Sequence, residues 1–470
     1  MEEADSSYGI VVVGSGAGGT EAALHAARRG VGRVLLVDKL PIGGGALRAG
    51  AIPMRSLMAS ARLLRQLRNT AAIGGESGDE FAEAQLVDWI NRQRHTVARL
   101  ASQTREGLHA AGVETARGDV RLLGGGRLLI TDREREGHPE REVQAAHIIL
   151  ATGARSGEPE EVSPGAAIGT SRRFVSLAET PRSLIIIGGG HVGCEFATIY
   201  HALGAQVTLI ERNDRLLSEM DREAGEELLA EFQGRGIDVR LSREGQPVWP
   251  ATPQDQAAVH LLPDDEELLA EKVLLARGRV PNVEGIDLEK AGVDYCTKRG
   301  ITVDEFLQTT APGISAIGDV NGLSTLSDSA RAQARLAVEN ALGSHRPFDP
   351  GEPVRSVHTD PAVAAVGLSE DWALAQGRAV RVASVTLRSP TALPGLDGES
   401  GGIVKLVAEP APPHRLLGGM MVGEHATEWI DEVSLAVRLG ANAEAFAAVP
   451  RGNERFAAAI GACVGQIVAQ

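Results

Sequence analysis

The stretch Gly9–Gly19, GIVVVGSGAGG, decides the fold of this chain. It opens with an unbroken apolar run, which is typical of a strand buried on both faces of a parallel sheet. A glycine-rich turn follows, and an alanine-rich stretch to Arg29 predicts a helix. Arg33–Val37 predicts a second strand that ends at Asp38. Together these segments predict a βαβ unit with a glycine turn between its first strand and its helix.

The same pattern returns later in the chain. Leu184–Ile187 predicts a strand, Gly188–Gly193 a glycine turn and Cys194–Leu203 a helix. Gln206–Ile210 then predicts the next strand, which ends at Glu211. The chain therefore contains one internal duplication of a βαβ unit, which is not the repeated array of a solenoid.

The glycine spacing indicates two dinucleotide sites. In such a turn the first glycine allows the tight bend, the second lets the backbone approach a pyrophosphate, and the third lets helix and strand pack closely. An acid about 20 residues later accepts hydrogen bonds from ribose hydroxyls. Asp38 lies 24 residues after Gly14, and Glu211 lies 23 residues after Gly188. The residues predicted to bind the first dinucleotide are Gly14, Gly16, Ala17, Gly19, Asp38 and Lys39, and those for the second are Gly188, Gly190, His191, Val192, Gly193, Glu211 and Arg212.

Glu211 favours NAD over NADP at the second site, because a carboxylate repels a 2′-phosphate. The neighbouring Arg212 could pair with that phosphate, so NADP stays open as the alternative.

Composition excludes several classes of protein. The 470 residues carry a formal charge of −15, which argues against a nucleic-acid partner. No run of about 18 apolar residues and no basic leader occur, so neither a membrane span nor a secretory signal is expected. The three cysteines, at 194, 296 and 463, form no zinc spacing and no disulfide framework, so we expect no metal and a cytoplasmic protein.

The rest of the chain divides into helical and sheet segments. Pro53–Arg68 and Phe81–Ala111 predict helices, and Glu114–Leu150 predicts strands. After Pro347 the sequence predicts a further sheet followed by amphipathic helices. The fold class predicted is α/β, with two Rossmann-like dinucleotide-binding domains and a C-terminal α+β domain.

The order of these motifs resembles the flavoprotein disulfide reductase family, which includes dihydrolipoamide dehydrogenase, mercuric reductase and soluble pyridine nucleotide transhydrogenase. The resemblance covers nearly the whole chain and implies FAD at the first site and NAD(P)H at the second. It also implies an obligate homodimer made by the C-terminal domain. The implied domains are 1–153 and 279–346 for FAD, 154–278 for NAD(P) and 347–470 for dimerisation. Further cofactor-binding residues implied by the ATG, GRVPN, AIGD and GGG segments are Gly45, Thr152, Gly153, Gly278 and Asp319.

This chain departs from the family in its redox segment, GG-x-C-x4-C-x-x-x-K. Ala46 and Ala51 stand at the two cysteine positions, and Arg55 stands at the lysine. Val449 stands at the histidine of the C-terminal His-Pro-x-x-x-Glu segment. Disulfide reduction needs an attacking thiolate and a resolving thiol, and alanine can serve as neither. Lipoamide, glutathione and mercuric activities are therefore not expected.

Several charged residues remain as candidate catalytic groups. Arg55 is expected to pair with Glu195 near the flavin, and His191 to gate the nicotinamide. Arg48, Arg451 and Glu454 could anchor a substrate, with the last two contributed by the partner subunit. The alternative for each is an ordinary structural or solvated side chain.

Three functions follow from these residues. The first is a thiol-independent NAD(P)H oxidoreductase that passes electrons to a quinone-like acceptor or small-molecule substrate, with hydride exchange between nicotinamides as a variant. The second is a flavin-dependent dehydrogenase or oxidase of a specialised biosynthetic intermediate. The third is a flavin- or nucleotide-binding interaction protein without enzymatic activity.

Overall fold

The computed structural model describes residues 7–71, 79–157, 167–177, 179–250, 256–351, 353–387 and 402–470. The chain forms two compact units, each assembled from three segments. Unit 1 contains residues 1–53, 92–157 and 279–350, and unit 2 contains residues 54–91, 158–278 and 351–470.

The helices and strands within these ranges follow the chain in this order. The strands are β1 Ser7–Val13, β2 Val34–Asp38, β3 Glu114–Gly124, β4 Arg127–Asp132, β5 Glu140–Leu150, β6 Ala154–Ser156, β7 Ile168–Thr170, β8 Ser183–Ile187, β9 Gln206–Ile210, β10 Asp238–Arg240, β11 Glu244–Val248, β12 Ala257–Leu262, β13 Glu266–Ala270, β14 Lys272–Leu275, β15 Arg279–Pro281, β16 Tyr295–Cys296, β17 Gly300–Ile301, β18 Ile314–Ala316, β19 Arg355–Val357, β20 Ala362–Gly367, β21 Arg381–Thr386, β22 Ile403–Ala408 and β23 Leu416–Gly423. The helices are α1 Ala17–Arg28, α2 Gly44–Arg48, α3 Ala51–Ala71, α4 Asp79–Ala110, α5 Ser171–Phe174, α6 His191–Ala202, α7 Arg222–Gly234, α8 Ser327–Ala341, α9 Glu370–Ala375, α10 Ala426–Arg438, α11 Ala443–Ala447 and α12 Glu454–Ala469, with 3-10 helices at Leu288–Ala291 and Gly318–Asn321. Within these ranges, no helix has the length and apolar character needed to span a membrane.

Unit 1 is organised around one sheet. Strands β3, β2, β1, β5 and β18 lie side by side and parallel, and β4 joins β3 and β5 as an antiparallel strand. Residues Ile10–Val13 of β1 are almost fully buried, as expected for a strand covered on both faces. Helices α1 and α8 pack against one another, and Ala22, Ala23 and Ala334 belong to the core beneath them.

Unit 2 contains a second parallel sheet and an antiparallel one. The parallel sheet has the order β10-β9-β8-β14-β7, and a three-stranded antiparallel sheet, β11-β12-β13, accompanies it. The C-terminal sheet has the order β19-β20-β23-β22-β21 and is antiparallel throughout. Helices α10, α11 and α12 cover it through a core that includes Ile430, Phe446 and Ile460. The predicted α/β fold class and the C-terminal sheet with helices are confirmed.

The duplication of the βαβ unit is also confirmed, with one correction. Helix α6 begins at His191, whereas the sequence placed its start at Cys194. Gly190 is the N-cap, so His191, Val192 and Gly193 belong to the helix rather than to the turn. The helix can begin there because a glycine at position 193 allows its first turn to lie against the backbone of the preceding strand. A Cβ on Gly193 would lie only 1.8 Å from the carbonyl oxygen of Gly188.

A buried ionic cluster joins the two parts of unit 2. The Lys405 side chain on β22 is 3% exposed, and its Nζ lies 3.0 Å from Asp221 Oδ1. Glu223 and Glu370 complete the cluster at 2.7 and 2.5 Å from the same nitrogen. Asp221 is also the N-cap of α7, where its side chain accepts the Glu223 N–H. One cation therefore pairs with carboxylates from the N-cap and first turn of α7 and from the start of α9.

Replacing Lys405 by Met should destabilise the protein strongly. The change removes the ion-pair partner of buried Asp221 and of its two neighbours, and breaking a buried ion pair costs about 3–5 kcal/mol. Lys290→Met removes a 2.8 Å pair to Asp287 whose lysine is 63% exposed, and should cost less than about 1 kcal/mol. Calorimetry at one fixed protein concentration compares the two. Equal unfolding midpoints in both variants would contradict the importance of the cluster.

Candidate active site: two dinucleotide cradles and an arginine–histidine–glutamate cluster

The first glycine turn lies at the N-terminus of α1. Gly14 has φ +105°, and a Cβ there would lie 2.3 Å from the carbonyl oxygen of Ala151. A Cβ on Gly19 would lie 1.8 Å from the carbonyl oxygen of Gly14. The fold itself therefore requires glycine at both positions. Ala17 is the first residue of α1 and is half-buried.

Gly16 has a different reason to be glycine. Its φ of −68° suits any residue, and a Cβ there would meet no atom within 4 Å. Gly16 is also the N-cap of α1, and no side chain caps this helix start. Open space in front of uncapped N–H groups suits an anion such as a pyrophosphate, which the helix dipole also favours. The residues of this turn therefore fit the phosphate part of a dinucleotide.

The second turn repeats this geometry in unit 2. Gly188 has φ +115°, and a Cβ there would lie 2.4 Å from the carbonyl oxygen of Ala276. Gly190 is the uncapped N-cap of α6 with φ −74°, and the nearest atom to a Cβ there is Glu219 Oε1 at 3.8 Å. Val192 is half-buried in the first turn of α6. This turn therefore fits a second pyrophosphate.

Each turn is held by the acid that the sequence singled out. Asp38 Oδ2 accepts both the N–H and the hydroxyl of Ser15 at 2.7 Å. Glu211 Oε2 accepts the N–H of Gly189 at 2.5 Å, and its Oε1 accepts the N–H of Asn213 at 2.8 Å. The sequence predicted these acids as ribose ligands. The structure shows that they also fix the shape of the turn, and their contact with ribose stays a prediction.

The remaining residues predicted for the first cradle lie in unit 1. Thr152 Oγ1 donates to the carbonyl of Asn282 at 2.8 Å, and the neighbouring Gly153 has φ +69°. Asp319 accepts from Arg279 Nε at 3.1 Å, while Arg279 Nη2 donates to the carbonyl of Ala154 at 2.7 Å. Sequence reasoning missed Arg279, although it lies in the quoted GRVPN segment.

The other predicted ligands are placed as follows. A Cβ on Gly45 would lie 3.7 Å from Arg279 Nη2, and Gly45 is exposed. Lys39 is exposed beside Asp38. In unit 2, Arg212 is exposed beside Glu211, and Gly278 has φ +106° with open space around its Cβ position.

Arg55 belongs to a cluster in unit 2, but its partner differs from the predicted one. Its Nε donates to Nε2 of His358 at 3.1 Å, and the backbone N–H of His358 donates to Glu195 Oε1 at 2.9 Å. The predicted direct pair of Arg55 with Glu195 is therefore wrong, because His358 lies between them. Sequence reasoning assigned no role to His358.

Glu195 lies one helical turn after His191 on α6 and is half-buried. Burial raises the pKa of Glu195 above its ordinary value. The His358 N–H and the charges of His191 and Arg55 lower it, but they do not outweigh burial. The raised pKa means that this carboxyl can hold a proton closer to neutral pH than an exposed glutamate can.

His191 is paired with Glu219, a residue that sequence reasoning missed. Nδ1 of His191 lies 3.7 Å from Glu219 Oε1. Burial works to raise the pKa of Glu219, yet its contacts with His191 outweigh burial and the pKa lies below its ordinary value. The predicted gating role of His191 stays a prediction, and the structure gives the imidazole an acidic partner at the same turn.

The Arg451 side chain is enclosed by other residues of the same chain rather than open to a ligand. Its side chain is 5% exposed and pairs with Glu432 at 2.8 Å. Its Nη2 donates to the carbonyl of Phe446 at 2.7 Å, and the guanidinium lies 4.5 Å from the centre of the Phe446 ring. We therefore no longer propose Arg451 as a substrate anchor. Glu454 is exposed at the start of α12, and half-buried Arg48 ends α2.

Proteins of one family share these features with the chain. The family described as pyridine nucleotide-disulphide oxidoreductase matches residues 8–341, and its dimerisation domain matches residues 354–451. A dihydrolipoyl dehydrogenase of Chlorobaculum parvum is 36% identical over 460 residues, covering 94% of each chain. A glutathione reductase of Nostoc is 30% identical over 465 residues, covering 96% of this chain and 98% of the relative.

Solved structures agree with this assignment. LpdA from Mycobacterium tuberculosis has a TM-score of 0.86 and 27% identity, covering 97% of this chain and 99% of that one. The Cu(II) complex of the flavoprotein disulfide reductase RclA from Escherichia coli has a TM-score of 0.80 and 22% identity, covering 98% and 99%, and shows the shared fold. The chain therefore belongs to the pyridine nucleotide-disulphide oxidoreductase family, the flavoprotein disulfide reductases, whose members use FAD and NAD(P)H, and its match to the family's dimerisation domain supports a homodimer.

Proposed function

We propose that this protein is an FAD-dependent NAD(P)H oxidoreductase that transfers hydride without protein thiols to a small-molecule, quinone-like acceptor. One observation carries the proposal. Both glycine cradles are intact, yet the segment Gly43–Arg55 contains no cysteine. FAD, when bound, supplies two-electron chemistry that requires no thiol from the protein.

The cysteines elsewhere in the chain do not supply the missing pair. Cys194 and Cys463 are buried, and burial raises the pKa of Cys194 well above its ordinary value and that of Cys463 to about 12. Such thiols are poor nucleophiles because they stay protonated. Cys296 lies in unit 1, where the N–H groups of Lys298 and Arg299 lower its pKa, but unit 1 holds no second cysteine to resolve a mixed disulfide.

The proposed cofactor contacts follow the two cradles. FAD would be held by the turn at Gly14–Gly19, with Asp38 and Asp319 as hydrogen-bonding acids. The nicotinamide nucleotide would be held by the turn at Gly188–Gly193, with Glu211 toward its adenosine ribose. Glu211 supports NAD over NADP, because it is 7% exposed and negatively charged where a 2′-phosphate would have to lie.

Electron flow through the flavin tests this function. Under anaerobic conditions NADH should bleach the flavin absorbance faster than NADPH, and menadione should restore it. Dihydrolipoamide should give no turnover, because Ala46 and Ala51 cannot form a disulfide. A dihydrolipoyl dehydrogenase serves as the positive control for the thiol assay.

Two results would contradict this proposal. Appreciable lipoamide turnover by the unmodified protein would show that thiol chemistry persists. Failure of both nucleotides to reduce the flavin would exclude the NAD(P)H oxidoreductase function and favour an interaction protein. Reduction of the flavin by a biosynthetic intermediate, with NAD⁺ or oxygen as the final acceptor, would support the flavin-dependent dehydrogenase instead.

The second prediction separates the two cradles. Gly16→Val should lower the flavin content of the purified protein and raise the Kd for FAD about tenfold or more, because its side chain fills the open space at the start of α1. Gly190→Val should raise the Kd for NADH by a similar factor while the flavin content stays normal. Both variants should fold, since neither position needs glycine for its φ.

Gly107→Ala provides the control for this pair, because it lies within α4 with open space around its Cβ position. Its flavin content and NADH affinity should match those of the unmodified protein. Isothermal titration and absorbance ratios measure these quantities. Full flavin content in the Gly16 variant would refute the assignment of the first cradle to FAD.

A further inference from the structure

Two arginines of α3 fix the chain just before β20. Arg62 Nη2 donates to the carbonyl of Thr359 at 3.0 Å, and Arg65 Nη1 pairs with Asp360 Oδ2 at 2.8 Å. The Asp360 side chain is 8% exposed, and Arg235, the C-cap of α7, also donates to the carbonyl of Asp360. Because a buried charge is held strongly by its partners, this segment has a fixed position relative to α3.

Arg55 lies about two turns before Arg62 and nearly three turns before Arg65. The spacing of seven residues places Arg55 and Arg62 on the same face of α3. The anchored segment therefore presents His358 to Arg55. The contact between Arg55 Nε and His358 Nε2 at 3.1 Å is a further contact between α3 and this segment.

This contact fixes which ring nitrogen of His358 is an acceptor. A guanidinium only donates hydrogen bonds, so Nε2 of His358 accepts from Arg55. His358 is thus a spacer whose ring accepts from Arg55 and whose backbone N–H donates to Glu195.

Glu195 is surrounded by groups of both signs. His191 lies one turn earlier on its own helix, His358 and Arg55 approach from the other two segments, and Glu219 neutralises His191. Arg55 acts on Glu195 through its charge, while its hydrogen bond goes to His358. The carboxylate therefore has a cation nearby but no direct ion pair with it.

We propose that His358 is a positioning residue that keeps the Arg55 guanidinium out of direct contact with Glu195, so that the Glu195 carboxyl carries the proton which a thiol-free reduction consumes. The proposal rests on the function proposed above. Reduction of a quinone-like acceptor takes one hydride, which NAD(P)H supplies as it is oxidised to NAD(P)⁺, and one proton. Oε1 of Glu195 accepts the His358 N–H, so Oε2 holds the proton, gives it to the acceptor and regains it from water.

The test measures the protonation of Glu195 directly. Infrared titration of the oxidised holoenzyme, without nucleotide or acceptor, follows the carboxylic C=O band that Glu195→Gln removes. His358→Ala should lower the pH midpoint of this band by about one unit or more, because Arg55 can then form an ion pair with the carboxylate. His358→Gln keeps a hydrogen-bond acceptor for Arg55 and should leave the midpoint within about 0.3 units of the original.

Two further variants identify the cause. The double variant Arg55→Met/His358→Ala should lose the downward shift, and Arg55→Met alone should raise the midpoint, because it removes a cation near the carboxylate. A midpoint in His358→Ala that is unchanged or higher would overturn the spacer role. If His358→Ala does not fold, Arg55→Met decides the matter, and an unchanged or lower midpoint there overturns the proposal.

A rate measurement tests the proton-carrying role separately. Menadione reduction should slow as pH rises through the infrared midpoint of Glu195, because only the protonated carboxyl can donate. In His358→Ala this decline in rate should begin at a lower pH. A rate that does not change across this midpoint would overturn proton delivery by Glu195, although the protein would still be active without thiols. No menadione reduction at any pH would overturn the proposed function, whereas the infrared result would still decide the role of His358.

Discussion

A backbone contact at the first turn of α1, repeated in α6, sets the geometry on which both cradles depend. In each cradle the third glycine lies against the carbonyl oxygen of the first, so closely that a methyl group on Gly19 or Gly193 would lie 1.8 Å from that oxygen. This contact holds the start of the helix directly over the end of its strand. The N–H groups at the helix start then point into the space where the turn has no side chain, and an acid from the next strand keeps the turn in shape.

The sequence predicted this part of the molecule well because its causes are local. A buried strand, a glycine turn and an acid at or just after the end of the next strand lie within about 30 residues, and their spacing reflects backbone geometry. The start of α6 was placed three residues too late because the glycine that seemed to close the turn at position 193 is in fact the packing contact within the helix. The role of Asp38 and Glu211 in fixing the turns was also missed, since the spacing indicates an acid but not all the groups that it binds.

The cluster around Glu195 was predicted only in part because its contacts join distant segments. Arg55 and Glu195 were both identified, but the residue between them, His358, is 303 positions from Arg55 and 163 positions from Glu195. No periodicity or local spacing reports such a contact. For Arg451 the sequence suggested a contact that the packing does not favour. An arginine in a loop was expected to be available for a ligand, whereas Phe446 and Glu432 enclose it. Charged residues are therefore the part of a site for which tertiary packing matters most.

The cluster around Lys405 also has a consequence for how unit 2 opens. Asp221 both caps α7 and accepts from Lys405 on β22, so loosening the start of that helix exposes an uncompensated charge inside the C-terminal sheet. The reverse also holds, since fraying of β22 leaves the cap of α7 with an unbalanced carboxylate. The ion pairs of Lys405 therefore couple the local stability of the start of α7 to that of β22.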